Sequence, residues 1–321
     1  MDEPLVTGIS HVKLRVRNLR DSLEFYAGAI GMIVTEEDGL EAHLRGYEED
    51  FHHSLVISEG RDLGLEHFAF WVKGRESLNS IVKILEARGL KYRYNEEEKG
   101  VGEAVLVEDP SSFPVEFVAS MKGEAFKHQD FVTRRGGFPL RLDHVTLHTQ
   151  LVDEEVGFYK GDLDFLVTEE IRSKEGKTVG IFLTRKGNTH DVAFFRADGP
   201  AVHHVAIQVR DLNDIVRVCD ILGYTNRVEQ IEFGPGRHRA TNGLFIYLRD
   251  PNGYRIELFT GDYLVVNPNW RPIVWEEDPK RLVLWGHIPP PKFREKMPVL
   301  HLETGKPVPQ SRVGGETLPS L

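Results

Sequence analysis

The chain has one cysteine, no long apolar run and no excess of positive charge. Cys219 stands alone among 321 residues, which excludes an intramolecular disulfide, and its place in the apolar helical run 215–222 predicts a buried, inert thiol. No apolar stretch approaches the roughly 20 residues that a membrane-spanning helix needs, and the N-terminus lacks a basic flank with an apolar signal core. These absences predict a cytoplasmic protein without a membrane partner.

The charge balance narrows the set of expected binding partners. Lys and Arg together number 40 against 50 Asp and Glu, a net charge of −10 with no long basic run. Nucleic acid and acidic membrane surfaces are therefore not expected partners, and small, near-neutral molecules fit better. With 321 residues and 40% hydrophobic content, the chain is long enough for two domains with sizeable cores.

One pattern recurs four times along the chain. Each copy opens with a strand-like segment that carries a histidine, and an amphipathic helix that stops before a glycine follows in three copies. The four openings are residues 9–14, 65–70, 142–147 and 202–207. The third copy has a weaker helical segment from Asp153 to Leu163, in which Val156 and Tyr159 are expected to face inward.

A unit of one strand, one helix and three more strands leaves one apolar sheet face uncovered, so it must pair with a second unit. We therefore predict an α+β fold in which four tandem βαβββ modules pair into two curved, barrel-like domains. The N-terminal domain spans residues 1–134 and the C-terminal domain residues 135–288. The second of these ends in a tryptophan-rich lid segment, 262–285, and residues 289–321 form an extended tail.

Two histidines and a glutamate of the C-terminal half suggest a metal site. His144, His204 and Glu257 lie on strand-like segments between apolar neighbours, so their side chains point away from the core that those neighbours form. A lone residue of this kind is usually structural, but these three fall at repeat-related positions that a cupped barrel would bring to one interior. Two histidines and one carboxylate are the set that holds iron(II) by one face and leaves the opposite face open.

Four further segments of the C-terminal half have specific patterns: Gly187-Asn-Thr-His-Asp-Val192, Phe233-Gly-Pro-Gly-Arg-His238, Ile246-Tyr-Leu-Arg-Asp-Pro251 and Asp278-Pro-Lys-Arg-Leu-Val-Leu-Trp-Gly286. Together with the metal set and in this order, they resemble type I extradiol dioxygenases of the vicinal oxygen chelate superfamily. That group includes catechol 2,3-dioxygenases and homoprotocatechuate 2,3-dioxygenases. The resemblance covers nearly the whole chain, and it implies the glyoxalase-type fold and a homotetramer.

The resemblance also implies roles for individual residues. The three metal ligands would hold Fe(II), with Mn(II) as the alternative, and O2 would be the co-substrate. His190 and His238 match the family's pocket histidines, Tyr247 matches the hydroxyl that hydrogen-bonds a substrate oxygen, and Arg281 matches a supporting arginine of the C-terminal segment.

The chemistry of a diol explains why these residue types are needed. A divalent ion with two neutral imidazoles and one carboxylate keeps a positive charge, which lowers the pKa of a bound catechol hydroxyl. The open face has room for both diol oxygens and for O2, so the reactants meet at short distance. His190 is expected to hold and release a proton, and His238 with Tyr247 to orient the diol. The expected product is a 2-hydroxymuconic semialdehyde.

Departures from the family pattern bear on the substrate. Relatives that take a carboxylated catechol carry arginines where this chain has Phe233 and Leu282, and an unpaired buried carboxylate would cost several kcal/mol. We therefore expect catechol and alkyl catechols as substrates, with homoprotocatechuate or 2,3-dihydroxybiphenyl as the alternatives. Thr146 is smaller than the amide often found beside the first ligand in relatives, which affects the oxygen-binding side.

The N-terminal half retains part of the same set. His11, His67 and Glu116 stand at the positions equivalent to the three ligands, and His53 falls roughly where His190 does. Leu106 replaces the tyrosine, and no counterpart of residues 234–238 exists. We expect this half to be a non-catalytic structural duplicate, with a second metal site as the alternative.

Two functions of other classes use the same scaffold. A metal-dependent isomerase or thiol transferase would also need histidine and glutamate ligands, but not His190, His238 and Tyr247 together. A metal-free binding protein would leave the three ligands without a use.

Overall fold

The computed structural model describes residues 5–95, 98–278 and 283–310. In each of four successive modules, one strand is followed by a helix and three further strands, which confirms the predicted α+β fold of βαβββ modules. The strands of the first two modules are β1 Val6–Val16, β2 Ile33–Glu37, β3 Glu41–Arg45, β4 Leu55–Glu59, β5 Gly64–Val72, β6 Tyr92–Tyr94, β7 Ala104–Glu108 and β8 Pro114–Val118. Those of the last two are β9 Pro139–Thr149, β10 Leu166–Arg172, β11 Thr178–Thr184, β12 Val192–Arg196, β13 Ala201–Val209, β14 Ile231–Arg237, β15 Leu244–Arg249 and β16 Arg255–Thr260. A final strand, β17, spans Ile273–Glu276.

The helices are α1 Leu19–Leu23, α2 Gly74–Ala87, α3 Val152–Val156 and α4 Leu212–Tyr224. In modules one and three the short α-helix continues as a π-helical turn, Glu24–Ile30 and Gly157–Asp162. A wider turn breaks the 3.6-residue period of buried positions. The predicted inward Tyr159 is fully buried, whereas Val156 is half-buried and Phe158 takes the inner position.

Two sheets organise the chain, one in each half. The order in the first is β2-β3-β4-β1-β5-β8-β7-β6, and in the second β14-β15-β16-β13-β9-β12-β11-β10-β17. In both, the opening strands of two modules pair antiparallel at the centre, β1 with β5 and β9 with β13. Modules one and two therefore share one sheet, and modules three and four share the other. The domain boundaries at 134 and 288 stay a prediction.

The two halves pack against each other through related contacts. Tyr26 of module one donates its hydroxyl to Asp250 of module four at 3.1 Å, and Tyr159 of module three donates to Asp109 of module two at 3.1 Å. Each aspartate also caps its own turn through backbone N–H groups two and four residues later. The two tyrosine–aspartate pairs link the halves, whose buried apolar residues form one hydrophobic core.

The connection between the halves depends on two glycines with left-handed backbone. Gly31 ends the first helical segment at φ 96°, and Gly136 of the connection has φ 58°. A Cβ at Gly31 would lie 2.1 Å from the Arg135 carbonyl oxygen, so only glycine allows this approach. Close backbone packing fixes the course of the chain from one half to the other.

The C-terminal segment contacts both halves. Residues Pro291–Arg294 form a 3-10 turn, after which Met297 bridges to Val202 and Val299 bridges to Leu65. In the predicted lid, β17 extends the second sheet beside β10, and Trp270 donates its indole N–H to the Thr168 carbonyl at 3.1 Å. The role of residues 262–285 as a lid stays a prediction. None of the described helices is long and apolar enough to span a membrane.

Candidate metal centre

The candidate site lies on one face of the second sheet. In register across the strands, His144 of β9 pairs with Ala206 of β13, Ala206 with Glu257 of β16, and Glu257 with Tyr247 of β15. Residues paired in this way share a face of a sheet. His204 lies two residues before Ala206 and so shares that face. Alternation along three neighbouring strands therefore brings distant residues together, as the sequence predicts.

The three predicted ligands form a compact set of donor atoms. His144 Nε2 lies 3.2 Å from His204 Nε2, and Glu257 Oε2 lies 3.3 Å and 3.0 Å from these two nitrogens. All three residues are buried. Adjacent donors around an octahedral ion with bonds of about 2.1 Å lie about 3.0 Å apart. The spacing and the donor types therefore fit iron(II) or manganese(II).

The outer ring nitrogens of both histidines have hydrogen-bond partners. His144 Nδ1 donates to the Asp143 carboxylate at 2.9 Å, and His204 Nδ1 lies 2.7 Å from His203 Nδ1. The carboxylate requires a proton on His144 Nδ1, so His144 Nε2 keeps a lone pair for a metal. Sequence reasoning missed Asp143 and His203, although both precede a predicted ligand directly.

Burial and neighbouring charges shift the pKa values of the predicted ligands in opposite directions. Burial acts to raise the pKa of Glu257, but His204, His144 and the hydrogen bond from His238 hold it well below its usual range. Burial lowers the pKa of His204 to about 4. A carboxylate ion and a neutral imidazole are the forms that bind a metal.

His238 and Tyr247 lie beside the carboxylate ligand. His238 Nε2 is 3.0 Å from the Tyr247 hydroxyl and 3.1 Å from Glu257 Oε1. The ring of His238 stacks on Phe245 at a centroid distance of 4.0 Å. Burial and the neighbouring Glu257 raise the pKa of Tyr247 well above its usual range, so the phenol stays protonated.

His190 lies on the other side of the donor set. Its ring is 3.8 Å from that of His144 between centroids, and its Nδ1 lies 3.0 Å from Thr189 Oγ1. The Thr189 hydroxyl donates to Asp262 Oδ2 at 3.1 Å, so it accepts from His190 Nδ1. His190 Nε2 then carries the lone pair. The chain from His190 to Asp262 was not predicted, because residue 262 belongs to the segment interpreted as a lid.

A cavity of about 350 Å³ adjoins the donor set, and its walls are largely aromatic. Thr146 and Phe233, both predicted pocket residues, line it together with the three ligands, His190, His238 and Tyr247. Phe293 of the C-terminal segment also lines it and packs on Tyr247 at 4.9 Å between ring centroids. That contribution was missed, because residues after 289 have the composition of a tail. Arg281 and Leu282 lie outside the described residues.

The first half contains a second cluster of buried donors, here called the N-terminal cluster. Its four members are His11, His67, Glu98 and Glu116. Sequence reasoning identified all but Glu98, which follows β6 and belongs to no repeated motif. Leu106 pairs with Glu116 in the register in which Tyr247 pairs with Glu257, so the predicted replacement of the tyrosine is observed.

Comparisons with known proteins agree with this architecture. Residues 8–117 and 141–258 match the model of the Glyoxalase/Bleomycin resistance protein/Dioxygenase superfamily. A manganese-dependent 2,3-dihydroxybiphenyl 1,2-dioxygenase of Geobacillus genomosp. 3 is 29% identical over 286 residues, 85% of this chain and 90% of that protein. A metapyrocatechase of Geobacillus stearothermophilus is 30% identical over 290 residues, 85% of this chain and 88% of the relative.

A solved structure is similar over almost the full length. Homoprotocatechuate 2,3-dioxygenase of Brevibacterium fuscum, in an anaerobic complex with 3,4-dihydroxyphenylacetate, superimposes with a TM-score of 0.92 at 33% identity. The match covers 96% of this chain and 97% of that one. The chain belongs to the glyoxalase and dioxygenase superfamily, within its extradiol ring-cleaving dioxygenases.

Proposed function

We propose that the protein is a catechol 2,3-dioxygenase that inserts both atoms of O2 into catechol and alkyl catechols beside the diol. The product would be a 2-hydroxymuconic semialdehyde. The observation that carries the proposal is the set of three buried donors, 3.0–3.3 Å apart, at the wall of an aromatic cavity. Family resemblance adds a cytoplasmic homotetramer, which light scattering during gel filtration would test.

His144, His204 and Glu257 are the residues that would hold the ion, with iron(II) proposed and manganese(II) as the alternative. Bound there, a divalent ion lowers the pKa of the diol hydroxyls and gives the diol and O2 a common binding point. Asp143 keeps the His144 ring in the orientation and tautomer that this binding needs.

Tyr247 and His238 are proposed to orient the diol. The Tyr247 hydroxyl stays protonated in its buried setting, so it can donate a hydrogen bond to a substrate oxygen. His238 Nε2 lies within 3.1 Å of both the tyrosine hydroxyl and Glu257, which places it where negative charge develops on an opening ring.

His190 is proposed as the acid and base. Its Nδ1–H is committed to Thr189, so Nε2 is the nitrogen free to accept a proton from the diol and return it later. The ring lies against His144 and T-shaped to Phe182, 5.1 Å between centroids, so it cannot swing far from the donor set.

The walls of the cavity support an uncharged substrate. Phe233 is buried and stacks on Tyr247 with a centroid distance of 5.9 Å, so the wall beside the hydroxyl is apolar. A carboxylate placed against Phe233 would be desolvated without a partner there. The relatives are named for different diols, and this wall is the feature that favours catechol.

A second candidate substrate class rests on two cations at another part of the cavity. Arg294 and Lys296 line it, and Lys296 Nζ also donates to the Asp198 carbonyl at 2.8 Å. Such a pair could receive the carboxylate of a 3,4-dihydroxyphenylacetate-like diol. The ratio of kcat/KM for catechol to that for 3,4-dihydroxyphenylacetate decides between them, and a ratio below one in the wild type that Lys296→Met reverses would favour the carboxylated diol.

The activity itself is tested by loading the protein with iron(II) under nitrogen, adding catechol and then admitting air. We expect a yellow product with matching O2 uptake in the wild type and neither in Glu257→Ala. Turnover of a glyoxalase-type substrate without O2 uptake would identify an isomerase. Binding without turnover of the iron-loaded protein would identify a binding protein and contradict the proposal.

A further inference from the structure

The N-terminal cluster has the features of a metal site that the ring-cleaving reaction does not use. We propose that it binds a second divalent metal ion, zinc by preference, in a closed site that stabilises the N-terminal half. The sequence favours a duplicate without metal, because Leu106 replaces the tyrosine and residues 234–238 have no counterpart in this half. Glu98 supplies a fourth donor, and the contacts around it change the interpretation.

The donor atoms converge as they would around one small ion. His11 Nε2 lies 3.0 Å from His67 Nε2 and 3.2 Å from Glu116 Oε2. Glu98 presents Oε1 at 3.1 Å to His11 and Oε2 at 3.3 Å to His67, while His67 Nε2 lies 3.8 Å from Glu116 Oε2. Donors of a tetrahedral zinc ion with bonds of about 2.0–2.1 Å lie about 3.3 Å apart, in the middle of this range.

One carboxylate oxygen of the cluster accepts no hydrogen bond. Glu116 is completely buried, and its Oε2 has no hydrogen-bond partner even though it lies 3.2 Å from His11 Nε2. The other oxygen, Oε1, accepts from the Asn95 side chain. A buried carboxylate oxygen without a partner is costly, and a cation at the point it faces removes that cost.

Charge balance points the same way. Glu98 and Glu116 bring two negative charges into an interior where both side chains are almost fully buried. A divalent ion with two neutral imidazoles would balance these two carboxylates, and Lys13 Nζ lies 4.0 Å from Glu98 Oε2 at the edge of the cluster. Ser10 Oγ lies 3.2 Å from His11 Nδ1, an outer partner of the kind that holds a ligating imidazole in place.

The surroundings argue for a structural site rather than a second catalytic one. His53 Nε2 lies 3.3 Å from Glu98 Oε1 and takes up space beside the donors. Leu106 stands in the register position of Tyr247, so no hydroxyl is available to orient a diol. Four protein donors fill a tetrahedral ion, whereas a catalytic ion needs open positions.

Metal counting on matched variants tests the proposal. The double variant His144→Ala/Glu257→Ala removes the C-terminal donors, and adding Glu116→Gln, the repeat equivalent of Glu257, removes one of the proposed N-terminal donors. Each protein is stripped with a chelator, dialysed against zinc(II) and analysed for bound metal. We expect two ions per chain in the wild type, one in the double variant and none in the triple variant.

Cobalt(II) in the double variant gives a second readout. A four-coordinate ion is expected to show the intense visible bands typical of tetrahedral cobalt, and Glu98→Gln in the same background should abolish them. The wild-type and double-variant measurements stand even where the triple variant fails to fold. No bound ion in the double variant, or cobalt bands that survive Glu98→Gln, would overturn the proposal.

Discussion

The two halves carry the same histidine and glutamate positions and use them differently. In the C-terminal half, three donors stand beside an aromatic cavity, with His190, His238 and Tyr247 around them. In the N-terminal half, a fourth donor enters from the segment after β6, and a leucine replaces the tyrosine. If both clusters hold an ion as proposed, the residues around each ion would decide whether a substrate can reach it.

Charge marks the difference most clearly. A divalent ion with two imidazoles and one carboxylate remains positive and attracts an ionising diol, whereas two carboxylates leave no net charge. The neutral set is easier to bury, and the positive set is better suited to activating a hydroxyl. If both clusters hold an ion as proposed, one added glutamate would separate a stabilising site from a reactive one.

The largest difference is expected between the two equivalent glutamates. Glu257→Gln should abolish ring cleavage, because the amide cannot replace the anionic ligand. Glu116→Gln should lower the thermal midpoint and the metal content while most of the turnover remains. Rates of formation of the yellow product at saturating iron(II) measure the turnover of the two variants. Equal losses of turnover in both would break the comparison.

The next largest difference in kcat is expected between substitutions of His190 and His53, the histidines beside the two donor sets. His190→Phe should lower kcat by about 10²–10⁴, the usual contribution of a general acid or base. His53→Phe should have no comparable effect, because its ring contacts Glu98 and not the cavity. Steady-state kinetics with catechol measures both. A similar fall in kcat for His53→Phe would mean that the N-terminal half takes part in turnover.

A smaller effect is expected at the outer partners of the first histidines. Asp143→Asn should weaken iron(II) binding by roughly 10-fold or more, since the carboxylate that fixes the His144 ring becomes a neutral amide. Ser10→Ala, its counterpart at His11, should weaken zinc binding less because only a neutral hydrogen bond is lost. Competition with a chromophoric chelator gives both affinities, and an unchanged iron affinity in Asp143→Asn would contradict the assignment.

The smallest effect concerns stability at the contacts between the halves. Burial raises the pKa of Asp109 to about 7 from its usual 3.8, so its folded form prefers to be protonated. The stability that this gives is complete below about pH 4 and is lost as pH rises through 7, with a slope of at most about 1.4 kcal/mol per pH unit.

The paired aspartate serves as the control for this pH dependence. Burial also raises the pKa of Asp250, but module one has Ser22 where module three has the buried Glu155 beside Asp109. Asp109→Asn should therefore flatten the fall in denaturant midpoint between pH 5 and 8 more than Asp250→Asn does. The reverse order would show that the two contacts are not electrostatically distinct.

The parts that sequence predicted are those governed by local periodicity. Alternation along strands identifies His144, His204 and Glu257, and the recurrence of the opening strand gives the module count and the pairing partners. Each strand pattern lies within a short segment, so it can be recognised without knowledge of tertiary contacts.

The parts that sequence missed depend on contacts between distant segments. Glu98 lies outside every repeated motif, and Phe293 reaches the cavity from a segment with the composition of a linker. The prediction of a buried Val156 assumed a helical period of 3.6. The π-helical turn after α3 departs from that period and buries Phe158 instead. Each of these depends on how the chain folds back on itself.

An anaerobic crystal structure of the manganese(II)-loaded protein with 4-nitrocatechol, with anomalous scattering to locate metal, tests the central claim most directly. We expect both diol oxygens on an ion held by His144, His204 and Glu257, and no diol at the N-terminal cluster. A diol bound away from these three side chains, or an ion there with every position filled by protein, would contradict it.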